Sequence, residues 1–491
     1  MKFHKNYINK AIKKTLLPSI TAGCLIFSGS LNAANNYLPD IGTAGVAALT
    51  LEKERTIGKQ VMLQIRGSYP LIYDPVLQEY IENLGYKLIS SGTTPLHPFS
   101  FFLINDSSIN AFAFFGGHVG VHSGLFLAAD TEGELASVLA HEIAHVNQRH
   151  LARHLEQQMN MQPTTIGATI GSILLAILAP QVGMAALQTT LASNQQMAIN
   201  FTRQNEAEAD RIGMQTLVNA GFNPYAMPNF FKKLAAKHRY NPKPPAFLLT
   251  HPLPENRITD AQLRAQMYPV RNYQQDVDFE FAKARVEVRM STLGAKEVLA
   301  KFTNQYLSST KPTNRTIYGL ALAQLSNNNP QAAAKTIEPI LKKYPNNLFI
   351  IDAITDINVE QGLLKQAEER LTDFYEYMPS NQVVALNYAN VLIKQNKLKP
   401  AIEVLKNYLY EKPNDLIALD LLEGAYSSAN LISFKYAIQA QSYSLRGQYE
   451  YAIKFIERAI KATSIKNRIE LARLEAQKKI YRQKLLEFKE Q

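Results

Sequence analysis

Three columns of residues recur at a spacing of 34: Pro345, Pro379 and Pro413; Ala333, Ala367 and Ala401; Ile337, Leu371 and Leu405. A period of this length is one helix–turn–helix unit. Such a unit is too small to bury its own apolar face, so copies must stack into a shared core. The alanine column lets the second helix of each unit approach the first closely. The proline column ends that helix and opens the next unit. Residues 436–462, with Gly447, Tyr449, Ala452 and Ala459, read as a further unit in which the spacing slips, so an irregular joint is expected there. Residues 466–490 read as a charged capping helix.

The period is that of the tetratricopeptide repeat. The chain before about residue 275 is of another kind. Glu52 to Gln64 and Asp74 to Leu88 have the apolar spacing of amphipathic helices. His97 to Leu103 reads as a strand, and Ala111 to Phe115 and His118 to His122 read as two more around Gly116-Gly117. Leu135 to Leu155 has helical period throughout. The fold expected is therefore an α+β domain over 34–275, mostly helical with a small sheet, followed by an all-α repeat solenoid over 276–491. His118 to His122 alternates as an edge strand should, and a free edge can pair with an extended peptide.

Residues 1–33 carry five lysines and no acid, then a mostly apolar run from Leu16 to Leu31 and small residues at Ala33 and Ala34. That order is expected of a cleaved secretory signal peptide. Thr21-Ala22-Gly23-Cys24 partly resembles a lipoprotein cleavage site, which is a rival reading of the same segment. Cys24 is the only cysteine, so a disulfide framework and a cysteine-ligated metal are both excluded. Lys+Arg exceeds Asp+Glu by 52 to 41 in 491 residues, a mild excess that does not point to nucleic acid.

The chemistry lies at His141-Glu142-Ile143-Ala144-His145, inside the helical stretch. Thr131 and Glu134 make a capping-box signature at its start. On a helix, His141 and His145 stand one turn apart on one face, where two neutral imidazoles can share a Zn²⁺. Glu142 beside them can take a proton from water activated by that ion. Downstream, Glu206 and Asp210 share a helical face at the same spacing. Glu206 can complete a two-histidine, one-carboxylate site, and Asp210 can accept the ring N–H of a ligand histidine. Glu208 falls on the opposite face and reads as solvated. His150 and His154 continue the active helix, point elsewhere and read as non-ligands.

The motif, together with Glu206-x-x-x-Asp210, resembles the M48 family of zinc metallopeptidases. Asn110-Ala111-Phe112-Ala113-Phe114-Phe115-Gly116-Gly117 resembles that family's segment before its edge strand. Thr250-His251-Pro252 with Arg257-Ile258 resembles its downstream motif. His118 departs from the pattern, in a position expected to face the cleft or solvent.

The resemblance implies one Zn²⁺ per chain on His141, His145 and Glu206, with Glu142 as general base and Asp210 supporting a ligand. It implies that His251 approaches the metal from a loop and can occupy the open position, whether to inhibit or to assist. Arg257 would stabilise an oxyanion or make a structural salt bridge. It further implies a periplasmic endopeptidase, with chaperone-like action, in assembly and quality control of outer-membrane β-barrel proteins. The repeats would dock on the protease and engage the barrel-assembly machinery, and unfolded or stalled proteins would be the substrates. A binding scaffold with a normally closed protease, and an inner-membrane-associated protease, are the alternatives. From Gln157 to Thr202 no charged side chain occurs, and Ile166 to Leu187 within it reads as an apolar lid, a membrane-facing hairpin, an intramembrane segment or plain core.

Overall fold

The computed structural model describes residues 49–161, 195–239, 245–269, 271–273 and 276–489. The expected leader with Cys24, and the stretch Ile166 to Leu187, lie outside the described residues. Helix α1 (Leu51–Ser68) starts on Thr50 and α2 (Pro75–Ser91) on Asp74, each side chain accepting an N–H of the first turn. Three strands follow: β1 (Ser100–Ile104), β2 (Ala111–Phe114) and β3 (His118–His122). Their order in the sheet is β1–β3–β2, with β1 parallel and β2 antiparallel to β3. Gly116 and Gly117 make the β2–β3 turn at φ +81 and +84. A Cβ on Gly117 would lie 2.5 Å from the Pro98 carbonyl oxygen.

The sheet corrects the expected edge. β3 is the central strand, and the free edge near the active helix belongs to β2. The alternation of His118 to His122 comes from two covered faces. Val119 and Val121 join the main core, while the other face meets Phe102, Phe112 and Phe114 packed on Val61, Met62 and Ile65 of α1. Gly120 is small because a Cβ there would lie 2.7 Å from both the Phe102 and Phe112 rings. His118 is half-buried within the sheet rather than fully open to cleft or solvent. Its ring stacks on Phe114 at 5.0 Å and its Nδ1 lies 2.6 Å from Ser100 Oγ.

Burial, with Arg66, His97 and Lys59 nearby, pushes the His118 imidazole down from its ordinary value to about 4. The unfolded chain therefore takes up this proton first as the pH falls. Its share of stability is complete above about pH 6.5 and is lost toward pH 4. His118→Gln, which keeps a polar partner for Ser100, is expected to lose less stability than the parent over that window. Urea midpoints at several pH values measure it, and identical pH profiles would contradict it.

Helices α3 (Ser123–Ala128) and α4 (Glu132–Asn147) come next, then α5 (His150–Met161). The single helix expected over Leu135 to Leu155 breaks between α4 and α5, where Arg149 takes φ +52. The cause is tertiary. Arg149 reaches Glu54 Oε1 on α1 at 2.6 Å and the Leu49 carbonyl at 2.6 Å, and this buried ion pair holds a backbone that periodicity does not predict. Helices α6 (Gln195–Asn219), α7 (Ala226–Arg239), α8 (Ala246–Thr250) and α9 (Glu255–Gln266) complete this part.

The repeat helices are α10 (Val277–Arg289), α11 (Ala295–Leu307), α12 (Asn314–Ser326), α13 (Pro330–Lys343), α14 (Leu348–Glu360) and α15 (Leu364–Tyr377). They continue as α16 (Gln382–Lys394), α17 (Leu398–Glu411), α18 (Leu416–Ser428), α19 (Ile432–Leu445), α20 (Tyr449–Ala462) and α21 (Arg468–Lys489). The alanine and Ile/Leu columns are fully buried. Each column proline directly follows the residue that caps α13, α15 or α17.

Two further columns of the same period carry the turns. Thr313, Asn347, Asn381 and Asp415 cap the first helices. Asn328, Gly362, Asn396 and Asn430 sit at φ +56, +73, +59 and +56, a region that asparagine and glycine tolerate best. The register therefore holds to Asn430 and slips after it, where Gly447 at φ +74 turns α19 into α20.

The core does not stop at residue 275. Phe281, Tyr318 and Phe349 belong to the same cluster as Tyr80 and Phe126, and Tyr80 lies 6.1 Å from each of Phe126 and Phe349. A buried ion network lies beside them. Arg285 on α10 reaches Asp74 at 2.7 Å and Asp352 on α14 at 2.6 Å, and Arg289 reaches Asp74 at 3.0 Å. Asn381 adds a hydrogen bond to Glu79 of α2 at 2.7 Å.

Candidate active site

Thr131 caps α4 by accepting the Glu134 N–H, and Glu134 reaches back to accept the Asp130 N–H at 2.7 Å, one residue earlier than the usual box. This anchors the helix that carries His141, Glu142 and His145. Helix α6 crosses α4 so closely that a Cβ on Gly213 would lie 3.1 Å from the His141 nitrogen. That approach brings Glu206 and Asp210 beneath the histidines. His251 follows α8, its ring stacked on Phe247 at 4.6 Å, and the Phe247 N–H donates to the Ile109 carbonyl just before β2.

The donor atoms of His141, His145, Glu206 and His251 all lie within 4.8 Å of one another. His141 Nε2 is 3.0 Å from His145 Nε2 and 3.3 Å from His251 Nδ1. Glu206 Oε1 is 3.4 Å from His145 Nε2 and 3.0 Å from His251 Nδ1, and Glu206 Oε2 is 3.4 Å from His141 Nε2. A tetrahedral site with arms of about 2.0–2.1 Å has edges of roughly 3.3 Å. The donors are spaced as the corners of such a site, so the residues fit a small divalent metal ion.

The same groups shift one another's protonation. Burial would push His141 down, but Asp210 and Glu206 outweigh it and raise it to about 10. Burial holds His145 at about 4, against the pull of Glu206. Burial would raise Glu206, but His251, His145 and His141 hold it well below the usual carboxylate range. Burial raises Glu142.

His141 Nδ1 lies 3.0 Å from Asp210 Oδ1, where the sequence expected a carboxylate to support a ligand. Arg257 grips Asp210 with two bonds of 2.7 and 2.8 Å and reaches Glu206 Oε2 at 2.8 Å and the Pro252 carbonyl at 2.6 Å. Of its two expected roles, the salt bridge is the one observed. Glu142 Oε1 lies 3.4 Å from His251 Nε2, and its carboxylate accepts the Ala113 N–H on β2. Glu142 thus sits between the donor cluster and the sheet's free edge.

Residues 75–265 match the model of Peptidase family M48, and residues 358–425 match a tetratricopeptide repeat model. A putative beta-barrel assembly-enhancing protease of Vibrio cholerae is 42% identical over 86% of this chain and 87% of its own length. The beta-barrel assembly-enhancing protease of Escherichia coli K12 is 39% identical over 92% of both chains. The chain belongs to the M48 family. Mitochondrial metalloendopeptidase OMA1 of Schizosaccharomyces pombe is 26% identical over 48% of this chain and 68% of its own. The protein is thus an M48 metallopeptidase carrying tetratricopeptide repeats.

Two expectations for this M48 peptidase are corrected. His150 does not continue the active helix or point away: the break at Arg149 turns it back, so that its Nδ1 lies 2.8 Å from His145 Nδ1. Glu208 is only partly solvated, its side chain 31% exposed, and it accepts from His150 Nε2 at 3.1 Å and from Arg153 at 2.7 Å. Neither neighbour was legible, because Asn147 ends α4 but no glycine or proline follows it to mark the left-handed turn at Arg149.

Proposed function

We propose that this M48 peptidase is a zinc endopeptidase of the periplasm, acting in assembly and quality control of outer-membrane β-barrel proteins. Residues 1–33 would be its leader, 34–275 its protease part and 276–491 its partner-binding repeats. The observation that carries the chemistry is the set of donor distances of 3.0–3.4 Å, with Glu142 beside it. The names of the bacterial relatives support the β-barrel substrates, and the repeat array offers an extended surface for partners.

His141, His145 and Glu206 hold the ion. When bound, zinc supplies Lewis acidity toward the scissile carbonyl. Glu142 takes the proton of the attacking water and passes it to the leaving amine. The edge of β2, beside Glu142, aligns the substrate backbone as an added strand. Purified protein should contain one zinc per chain and cleave casein or an unfolded barrel protein in a chelator-sensitive way. Zinc content unchanged in His141→Ala would refute the ligand set, and absence of the protein from an osmotic-shock fraction would refute the location.

The geometry also favours a normally closed site, because His251 fills the fourth corner. A neutral imidazole there displaces the water that Glu142 must deprotonate. His251→Ala is expected to raise casein cleavage and self-cleavage while zinc remains bound. A fall in activity would assign His251 to assistance, and parental activity with parental zinc affinity would remove both roles.

A further inference from the structure

We propose that His150 and Glu208 are positioning residues that hold His145 in the one tautomer able to present Nε2 to the metal. The inference rests on the reading of His145 as a ligand. His145 Nε2 faces the donor cluster, 3.0 Å from His141 Nε2 and 3.4 Å from Glu206 Oε1. Its other ring nitrogen faces His150 Nδ1 at 2.8 Å, with the rings nearly perpendicular at 80°. Two nitrogens at that distance share one proton. A His145 whose Nε2 lone pair is turned to a metal carries its proton on Nδ1 and donates it to His150 Nδ1.

His150 must then carry its own proton on Nε2. That nitrogen lies 3.1 Å from Glu208 Oε2, which accepts only. Arg153 binds the same oxygen at 2.7 Å and fixes the carboxylate's orientation. Every proton position in the chain Glu208–His150–His145 follows from its carboxylate end. The opposite tautomer of His145 would set two lone pairs, or two N–H groups, against each other at the His145–His150 contact.

The same device serves the other ligand histidine in shorter form. His141 Nδ1 meets Asp210 at 3.0 Å, and Arg257 grips that carboxylate. Each ligand histidine therefore ends on a carboxylate held by an arginine, once directly and once through an intervening imidazole. On an unbroken helix, residues five apart diverge by about 140° round the axis. The left-handed turn at Arg149 is what brings the buried His150 ring against His145.

The test is zinc affinity of the full chain, measured by competition with a chromophoric chelator, together with the visible spectrum of the Co²⁺-substituted protein. His150→Phe keeps a ring and removes the acceptor, and is expected to weaken zinc binding roughly 10- to 100-fold. His150→Gln restores a carbonyl acceptor and should recover most of that loss. Glu208→Ala frees the His150 tautomer and should weaken binding about 3- to 10-fold and shift the Co²⁺ spectrum.

Parental affinity in His150→Phe would overturn the proposal, as would equal losses in the Phe and Gln variants, which would mean packing alone. If His150→Phe does not fold, Glu208→Ala decides: an unchanged affinity and spectrum there also overturns it. His145→Ala is the reference. Parental zinc binding in that variant would refute the ligand reading itself, a different failure from that of His150 and Glu208.

Discussion

Glu142→Gln is expected to lower peptide hydrolysis by about 10²–10⁴-fold, the usual worth of a positioned general base, while the metal content stays at that of the parent. The side chain is 2% exposed and wedged between His251 Nε2 at 3.4 Å and the Ala113 amide of β2. Glutamine has the same shape, and its carbonyl oxygen can still accept the Ala113 N–H, so neither fold nor metal site is disturbed. What is lost is the capacity to receive a proton from water. Casein turnover and zinc per chain, measured on one preparation, separate the two effects. Parental cleavage by the variant would end the proposed mechanism. The inactive protein should also retain bound substrates, which co-purification can identify.

The second large effect is structural. Arg285→Ala is expected to cost about 3–5 kcal/mol of folding stability, because it strands buried carboxylates without their partner. Arg285 is 1% exposed, and it ties Asp74 at the start of α2 to Asp352 on the repeat helix α14. It also donates to Tyr318 at 3.1 Å. Arg289 is 32% exposed in its side chain and reaches Asp74 and Asp356, so it offsets only part of the loss. Urea unfolding should show a lower midpoint for Arg285→Ala, with Arg285→Lys in between. An unchanged midpoint would mean that the network is solvated in solution. Because Asp74 lies beneath this arginine, a chain cut near residue 270 should expose the charge as well as Tyr80 and Phe126.

The active-site residues are legible because their chemistry depends on local spacing. His141 and His145 share a helical face at i and i+4 in any helix, and so do Glu206 and Asp210. The repeat is legible for a similar reason, since each unit solves the same packing problem with a small residue at one contact. Two of its columns, the caps from Thr313 to Asp415 and the left-handed residues from Asn328 to Asn430, use interchangeable residue types, so identity alone conceals them. The edge strand was misplaced because pleat alternation is the same for an edge and for a strand buried on both faces. Only pairing order tells them apart, and that order is set by β1, which arrives from earlier in the chain.

The sequence by itself determined the two kinds of architecture and singled out His141, Glu142, His145 and Glu206 as the candidate site, because each follows from periodicities of 34 residues or of a single helical turn. The tertiary structure alone decided what lies across those elements. Gly213 lets α6 press against α4 and bring Glu206 to the histidines. The Arg149–Glu54 ion pair bends the chain so that His150 meets His145. Arg285 binds the repeats into the protease core. In each case the energy comes from a partner between 67 and 211 residues away or from a close helix crossing, and no local pattern encodes a contact at that separation.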